Sequence, residues 1–218
     1  MSVLISLSRV LYPLTTLGPG RRLGIWFQGC SLRCAGCISV DTWARQTPQM
    51  TVSELLQQCA AELAEADGVT ITGGEPFEQP AALRELLDGV RSDLRPGADV
   101  LVYSGLSSVQ LKPQLAELEG LIDVLCAGPF HLTASQTRPL MGSDNQELLL
   151  LTEVGMRNFS GYLRVRNPAD DVLDLMMDTD GTAWMAGIPK RGDLGRLQSI
   201  LLERGFSSAT TEDGRSFA

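Results

Sequence analysis

Histidine occurs once in these 218 residues, aromatic side chains make up 6%, and no run of lysine and arginine is longer than two. Each shortage excludes something. A protein that binds a phosphate backbone needs a basic stripe to displace counterions. Here 18 basic residues stand against 26 acidic ones, the net charge is −8, and the longest basic clusters are Arg21-Arg22 and Lys190-Arg191. Nucleic acid is therefore not an expected partner. Long apolar runs are missing too: residues 1–14 are interrupted by Ser6, Ser8 and Arg9, and no basic segment precedes them. That pattern fits a core strand better than a signal core or a membrane span, so no membrane partner and a cytoplasmic location are expected. The five cysteines are few and odd in number, which argues for reduced thiols rather than a disulfide framework.

What is present is ordinary for a folded domain: 44% hydrophobic and 20% charged residues, without low-complexity tracts. The length suffices for one substantial core, with or without a small appendage. Apolar runs alternate with helical patterns. RLGIWFQ (Arg22 to Gln28) reads as a strand ending at Gly29, and residues 53–66 place Leu55, Leu56, Cys59, Leu63 and Ala66 at helical spacing, with Thr51 or Ser53 as cap. GVTIT (Gly68 to Thr72) is a strand stopped by Gly73-Gly74. PAALRELLDGVRSDL is helical, ADVLVYSG a strand, SSVQLKPQLAELE a helix containing Pro113, and GLIDVLCAG a further strand.

This alternation predicts a parallel α/β sheet, whose crossovers carry the helices. In such sheets the chemistry sits on loops at the carboxyl ends of the strands. The loop after Gly29 and the Gly73-Gly74 turn should then face one another across a common site. From residue 156 the pattern changes to a strand (YLRVRN), a hairpin turning at Asp180-Gly181 and a final helix (DLGRLQSILLERG). The expected division is a core over 1–155 and an antiparallel appendage over 156–218. DDVLD and TTEDGRS read as solvated loops, Met176, Met177 and Met185 as core of the hairpin, and Cys59 as a small hydrophobe.

Three of the five cysteines, Cys30, Cys34 and Cys37, fall within eight residues. Thiolates suit soft metals, and ligands close in sequence keep the cost of loop closure small. A structural zinc site would more often use two pairs of ligands, and there is no second pair, although Cys126 or His131 could supply a fourth ligand from a distance. Gly29, Ser31, Arg33 and Gly36 make the segment too polar and bent for three unligated core cysteines. An iron–sulfur site is the better reading. A cubane cluster normally takes four thiolates, so three would leave one iron open, as catalytic metal sites do.

Followed by ITGGEP (Ile71 to Pro76), the C-x3-C-x2-C motif resembles the radical S-adenosylmethionine superfamily. The resemblance implies a partial (β/α) barrel with, here, a small C-terminal α+β appendage. It implies Cys30, Cys34 and Cys37 as ligands of a 4Fe-4S cluster whose open iron chelates S-adenosylmethionine. Gly36, Gly73, Gly74, Glu75 and Ser104 would bind that cofactor, Tyr103 and Gly105 would lie near its nucleoside, and Asn145 and Gln146 near the mouth of the site. The bland reading of Asn145-Gln146 is a polar turn. No catalytic residue beyond cluster and cofactor is implied.

Within the superfamily the chain resembles the activating enzymes of glycyl radical enzymes, above all the activase of anaerobic ribonucleotide reductase. GPGRRLGIWFQGC, Gly36, DTW (Asp41 to Trp43), VLVYSG, LIDVLCAGPF and GSDNQ carry this likeness over roughly residues 1–152. Leu17, Ser39, Ala127 and Met141 depart from the group, each replacing a polar residue. None is a cluster ligand, so the departures bear on the target. The implied activity is reductive cleavage of S-adenosylmethionine to activate a protein or peptide partner, with an electron donor such as flavodoxin or ferredoxin. The alternatives are radical modification of a peptide or small molecule, and a non-enzymatic electron-transfer module. Trp26, Phe27 and Trp43 read as packing around the cluster.

Overall fold

The computed structural model describes residues 2–177 and 179–211. At the amino end are strands β1 (Leu4–Ile5), β2 (Leu7–Leu14) and β3 (Arg22–Phe27), then β4 (Met50–Thr51), helices α1 (Val52–Gln58) and α2 (Ala60–Glu65), and β5 (Gly68–Gly73). Helix α3 (Pro80–Asp93), β6 (Asp99–Ser104), α4 (Ser108–Glu117), β7 (Val124–Ala127), β8 (Glu147–Leu150) and α5 (Glu153–Phe159) follow. The chain continues through β9 (Leu173–Met177), β10 (Ala183–Gly187) and α6 (Asp193–Glu203).

The main sheet has six strands in the order β2-β3-β5-β6-β7-β8. Its central four are parallel, as the strand–helix alternation demands, while β2 and β8 run antiparallel at the two edges. The two antiparallel edges lie outside the strand–helix alternation that predicts the parallel sheet. They arise because β2 joins β3 through the helix-free segment Thr15 to Arg21, and because no helix follows β7 to carry the chain back. Alternation along the central strands separates two faces. Leu23, Ile25, Phe27, Val69, Ile71, Val100 and Val102 pack beneath the helices with Leu55, Leu63, Leu83 and Leu87, all buried. Each such side chain contributes roughly 1.5–3 kcal/mol on leaving water. The opposite, concave face carries Trp26 and Leu14, against which residues of the hairpin pack. Gly24 lies under Trp26, where an added Cβ would come within 2.4 Å of the indole ring.

Local signals account for the helices. Thr51 caps α1 in a capping box with Glu54, and Ser107 does the same for α4 with Gln110. The single helix expected over 53–66 is broken at Cys59 into α1 and α2, and that thiol is buried in the outer core. Helix α5 runs across residue 155, and its Phe159 is fully buried with Leu101 and Val124 of the sheet.

Two expectations fail beyond that point. YLRVRN is not a strand: its arginines pair locally, Arg164 with Asp170 and Arg166 with Asp171, and no neighbouring strand takes up its backbone. Met177 is exposed, because strand alternation cannot bury it together with Met176, which packs inward. Of TTEDGRS only Thr210 and Thr211 are among the described residues. No helix among the described residues is long and apolar enough to cross a membrane.

Candidate active site at the carboxyl ends of the parallel strands

The loop that follows β3 is fastened at its base before it reaches the cysteines. The Gln28 amide donates to the carbonyls of Ala44 (2.6 Å) and Asp41 (3.2 Å), Gly29 N–H to Thr42 (2.7 Å) and Cys30 N–H to Trp43 (3.2 Å). The outgoing and returning strands of the loop are thereby held side by side. Cys37 N–H donates to the Cys34 carbonyl (3.1 Å), which folds those two residues into one turn. Gly36 within it has φ +77°, a conformation that disfavours any side chain.

The turn after β5 docks on this base. Gly74 N–H donates to Phe27 (2.8 Å) and Glu75 N–H to Gly29 (2.9 Å). A Cβ on Gly74 would lie 2.2 Å from the Gly29 carbonyl oxygen, so only glycine allows the two loops this approach. Glu78 adds a clamp by accepting from Ser31 N–H (2.9 Å), and Gln79 bonds Ser6 and Gln28. Sequence reasoning passed over Gln28, Glu78 and Gln79, whose signal is only their adjacency to the two motifs.

Glu75 is buried. One carboxylate oxygen accepts from Phe77 N–H (3.1 Å) and the Ser104 hydroxyl (2.9 Å), the other from Gly105 N–H (2.8 Å). It ties the end of β5 to the end of β6. Burial raises its pKa, with these donors acting in the opposite direction. A buried carboxylate held only by neutral donors lacks a cationic partner.

One cavity collects these groups. Cys30, Cys34, Cys37, Gly36, Gly73, Gly74, Glu75, Ser104 and Gln146 line it, together with Tyr103 and Gly105. Asn145 does not: it is exposed and donates to the Pro129 carbonyl (2.8 Å), while Gln146 bridges Gly128 (3.0 Å) and Gly142 N–H (2.8 Å). Cys59, Cys126 and His131 lie outside the lining, which removes the distant fourth ligands considered for zinc. Of the four departures, Leu17 and Ser39 line the cavity, whereas Ala127 and Met141 are buried beside it.

The donor set suits a cluster. Burial pushes the Cys30 thiol up and the Cys37 thiol to about 11, so these sulfurs favour the neutral form unless a cation is brought to them. No three His, Cys, Asp or Glu among the described residues come together tightly enough for a single metal ion. A cubane, in which three thiolates would go to three different irons, spaces its ligands more widely.

The rest of the lining was not legible as site. Arg9 and Trp26 come from the sheet, Leu32 and Ile38 from the cysteine loop, Phe130 and Leu132 from the segment after β7. Met185 to Arg191 and Leu194 come from the hairpin and the start of α6.

A cysteine triad and a Gly-Gly-Glu turn around one cavity, at the carboxyl ends of parallel strands, define a radical S-adenosylmethionine protein. The family described as a 4Fe-4S single cluster domain matches residues 16–149, and the chain belongs to it. The anaerobic ribonucleoside-triphosphate reductase-activating protein of Enterobacteria phage T4 is 28% identical over 135 residues, spanning 60% of this chain and 85% of the relative. The Escherichia coli K12 protein of the same description is 27% identical over 126 residues, 55% of this chain and 81% of the relative. The pyruvate formate-lyase-activating enzyme of Staphylococcus epidermidis is 28% identical over 176 residues, covering 74% of this chain and 69% of its own length. The chain is thus an oxidoreductase of the activating-enzyme type, with a 4Fe-4S cluster and S-adenosylmethionine as cofactors.

Proposed function

We propose that this protein reductively cleaves S-adenosylmethionine and passes the radical to a glycyl residue of a protein partner. The observation that carries the reading is the convergence of Cys30, Cys34 and Cys37 with Gly73-Gly74-Glu75 on one cavity. Held by Cys30, Cys34 and Cys37, a reduced cluster would supply the single electron that reductive cleavage of S-adenosylmethionine requires.

The chain's own residues do the rest. The three cysteines hold the cluster through thiolates that its irons stabilise. Gly36, Gly73 and Gly74 present bare backbone to the cavity, where the cofactor would meet it directly. Glu75, kept in place by Ser104 and Gly105, accepts from the ammonium of the methionine part, the cationic partner it lacks in the protein. Trp26, Leu32 and Phe130 keep water from the reacting carbon. Gln146 belongs to the mouth of the site and Asn145 to the turn that supports it. A flavodoxin or ferredoxin supplies the electron.

The test is anaerobic reconstitution with iron and sulfide, reduction, and measurement of 5′-deoxyadenosine with and without candidate glycyl radical proteins, followed by electron paramagnetic resonance. Cleavage with a glycyl doublet on the partner is expected. A mass change on a peptide or small molecule without a protein radical would replace activation by direct modification. A fully loaded protein that never forms 5′-deoxyadenosine would leave only an electron-transfer module.

A further inference from the structure

The main sheet ends at β2 on one side and β8 on the other, so it does not close into a barrel. Among the described residues the hairpin β9–β10 pairs with itself and extends neither edge. It is nevertheless tied to the rest of the site on several sides. Asp174 of β9 accepts from Thr15 N–H (2.6 Å), the Thr15 hydroxyl (2.7 Å) and the Thr16 hydroxyl (3.0 Å), just beyond β2. Arg9 of β2 lies between Trp26 of the sheet (5.3 Å) and Trp184 of β10 (4.8 Å), and pairs with Asp41 in the cysteine loop. At the other side, the Gln136 amide donates to Pro189 (2.9 Å). Arg191 stacks on Phe130 (4.7 Å) and donates to the His131 carbonyl (3.1 Å) in the segment that leads to β8.

We propose that residues 172–177 and 179–194 form a fixed wall that bridges the two sides of the open sheet and lets a target reach the cavity only as a slender, extended segment. Asp174 and Trp184 are positioning residues for that wall. Neither lines the cavity, whereas Met185, Ile188 and Arg191, which they carry with them, do. Ala186 is buried against Leu14 and Trp26, so the wall is packed onto the concave face. A packed element anchored at both ends opens rarely. A glycine on a flexible loop can pass beside such a wall; a folded surface cannot. The proposal rests on the functional reading above for what the cavity holds, while the position of the wall is independent of it.

The experiment compares iron release from the reduced, reconstituted full-length protein to two ferrous chelators, small unsubstituted phenanthroline and bulky sulfonated bathophenanthroline. Wild type should yield iron faster to the small one. In an Asp174→Ala, Trp184→Ala double variant the bulky chelator should gain at least about fivefold, with unchanged iron content. Hydrogen exchange should show lost protection in residues 172–177 and 179–194 and none lost in α3. Equal rates for both chelators in wild type would overturn the wall. So would an unchanged bulky-chelator rate in a variant whose hairpin has lost protection. Should the double variant fail to fold, Thr16→Val removes only one anchoring hydroxyl and should give a smaller rise of the same sign; no rise refutes the proposal. Intact chelator discrimination in a protein that does not cleave S-adenosylmethionine would refute the functional reading and leave the wall standing.

Discussion

The two ends of the concave face bury polar groups in opposite ways. At the amino ends of the parallel strands Arg22 is fully buried, with its guanidinium 2.6 Å from Asp99, 2.7 Å from the Thr70 hydroxyl and 2.8 Å from the Val69 carbonyl. Asn158 donates to the second Asp99 oxygen (2.9 Å) and Phe159 lies against the guanidinium. Charge is matched by charge, and donors by acceptors. At the carboxyl ends Glu75 is as deeply buried but holds only neutral donors, and burial pushes the Cys30 and Cys37 thiols toward neutrality. Complete partnering makes the first end a structural plug; the missing cation makes the second a place for ligands.

If that contrast is right, substitutions at the two ends should fail differently. The largest effect belongs to the cysteines. Replacing Cys30, Cys34 or Cys37 by Ala should remove most of the iron, the brown colour and all cleavage of S-adenosylmethionine, measured after anaerobic purification. Cys126→Ala should keep its iron, because that thiol is buried among apolar groups, which push its pKa to about 12. Equal loss in the Cys126 variant would dissolve the distinction between the cysteines.

The next effect falls on stability at the opposite end. Asp99→Ala leaves the Arg22 charge buried and unpaired, which should cost about 3–5 kcal/mol in denaturant unfolding. The folded fraction should bind S-adenosylmethionine with unchanged affinity. A specific loss of affinity would mean that the two ends are coupled through the sheet.

Glu75→Gln is subtler, since it keeps shape but turns one acceptor into a donor beside Gly105 N–H or Phe77 N–H. Binding of S-adenosylmethionine should weaken by roughly 1–3 kcal/mol by calorimetry, with iron retained. Unchanged affinity would restrict Glu75 to its structural clamp. Smallest is Thr51→Ala on the outer helical layer, where loss of the cap on α1 should cost about 1 kcal/mol and leave iron and cofactor binding untouched. An effect on iron there would show that the helical layer and the site are not separable.

What the amino-acid order determined by itself is whatever depends on neighbours in the chain. The β-branched run before Gly73-Gly74, the caps at Thr51 and Ser107, and the Asp180-Gly181 turn are local conformational preferences, and the structure follows them at β5, α1, α4 and the hairpin. The cysteine triad was legible for the same reason, because Cys30, Cys34 and Cys37 share one short loop. Tertiary structure alone decided the antiparallel edges, the break at Cys59, the exposure of Met177 and the separation of Gln146 from Asn145 at the cavity. It also decided that Arg191 meets Phe130 and that Trp184 meets Arg9, which no spacing announces. The physical reason is that these contacts join segments far apart in the chain, where the partner of each side chain is set by which sheet face and which strand end it reaches.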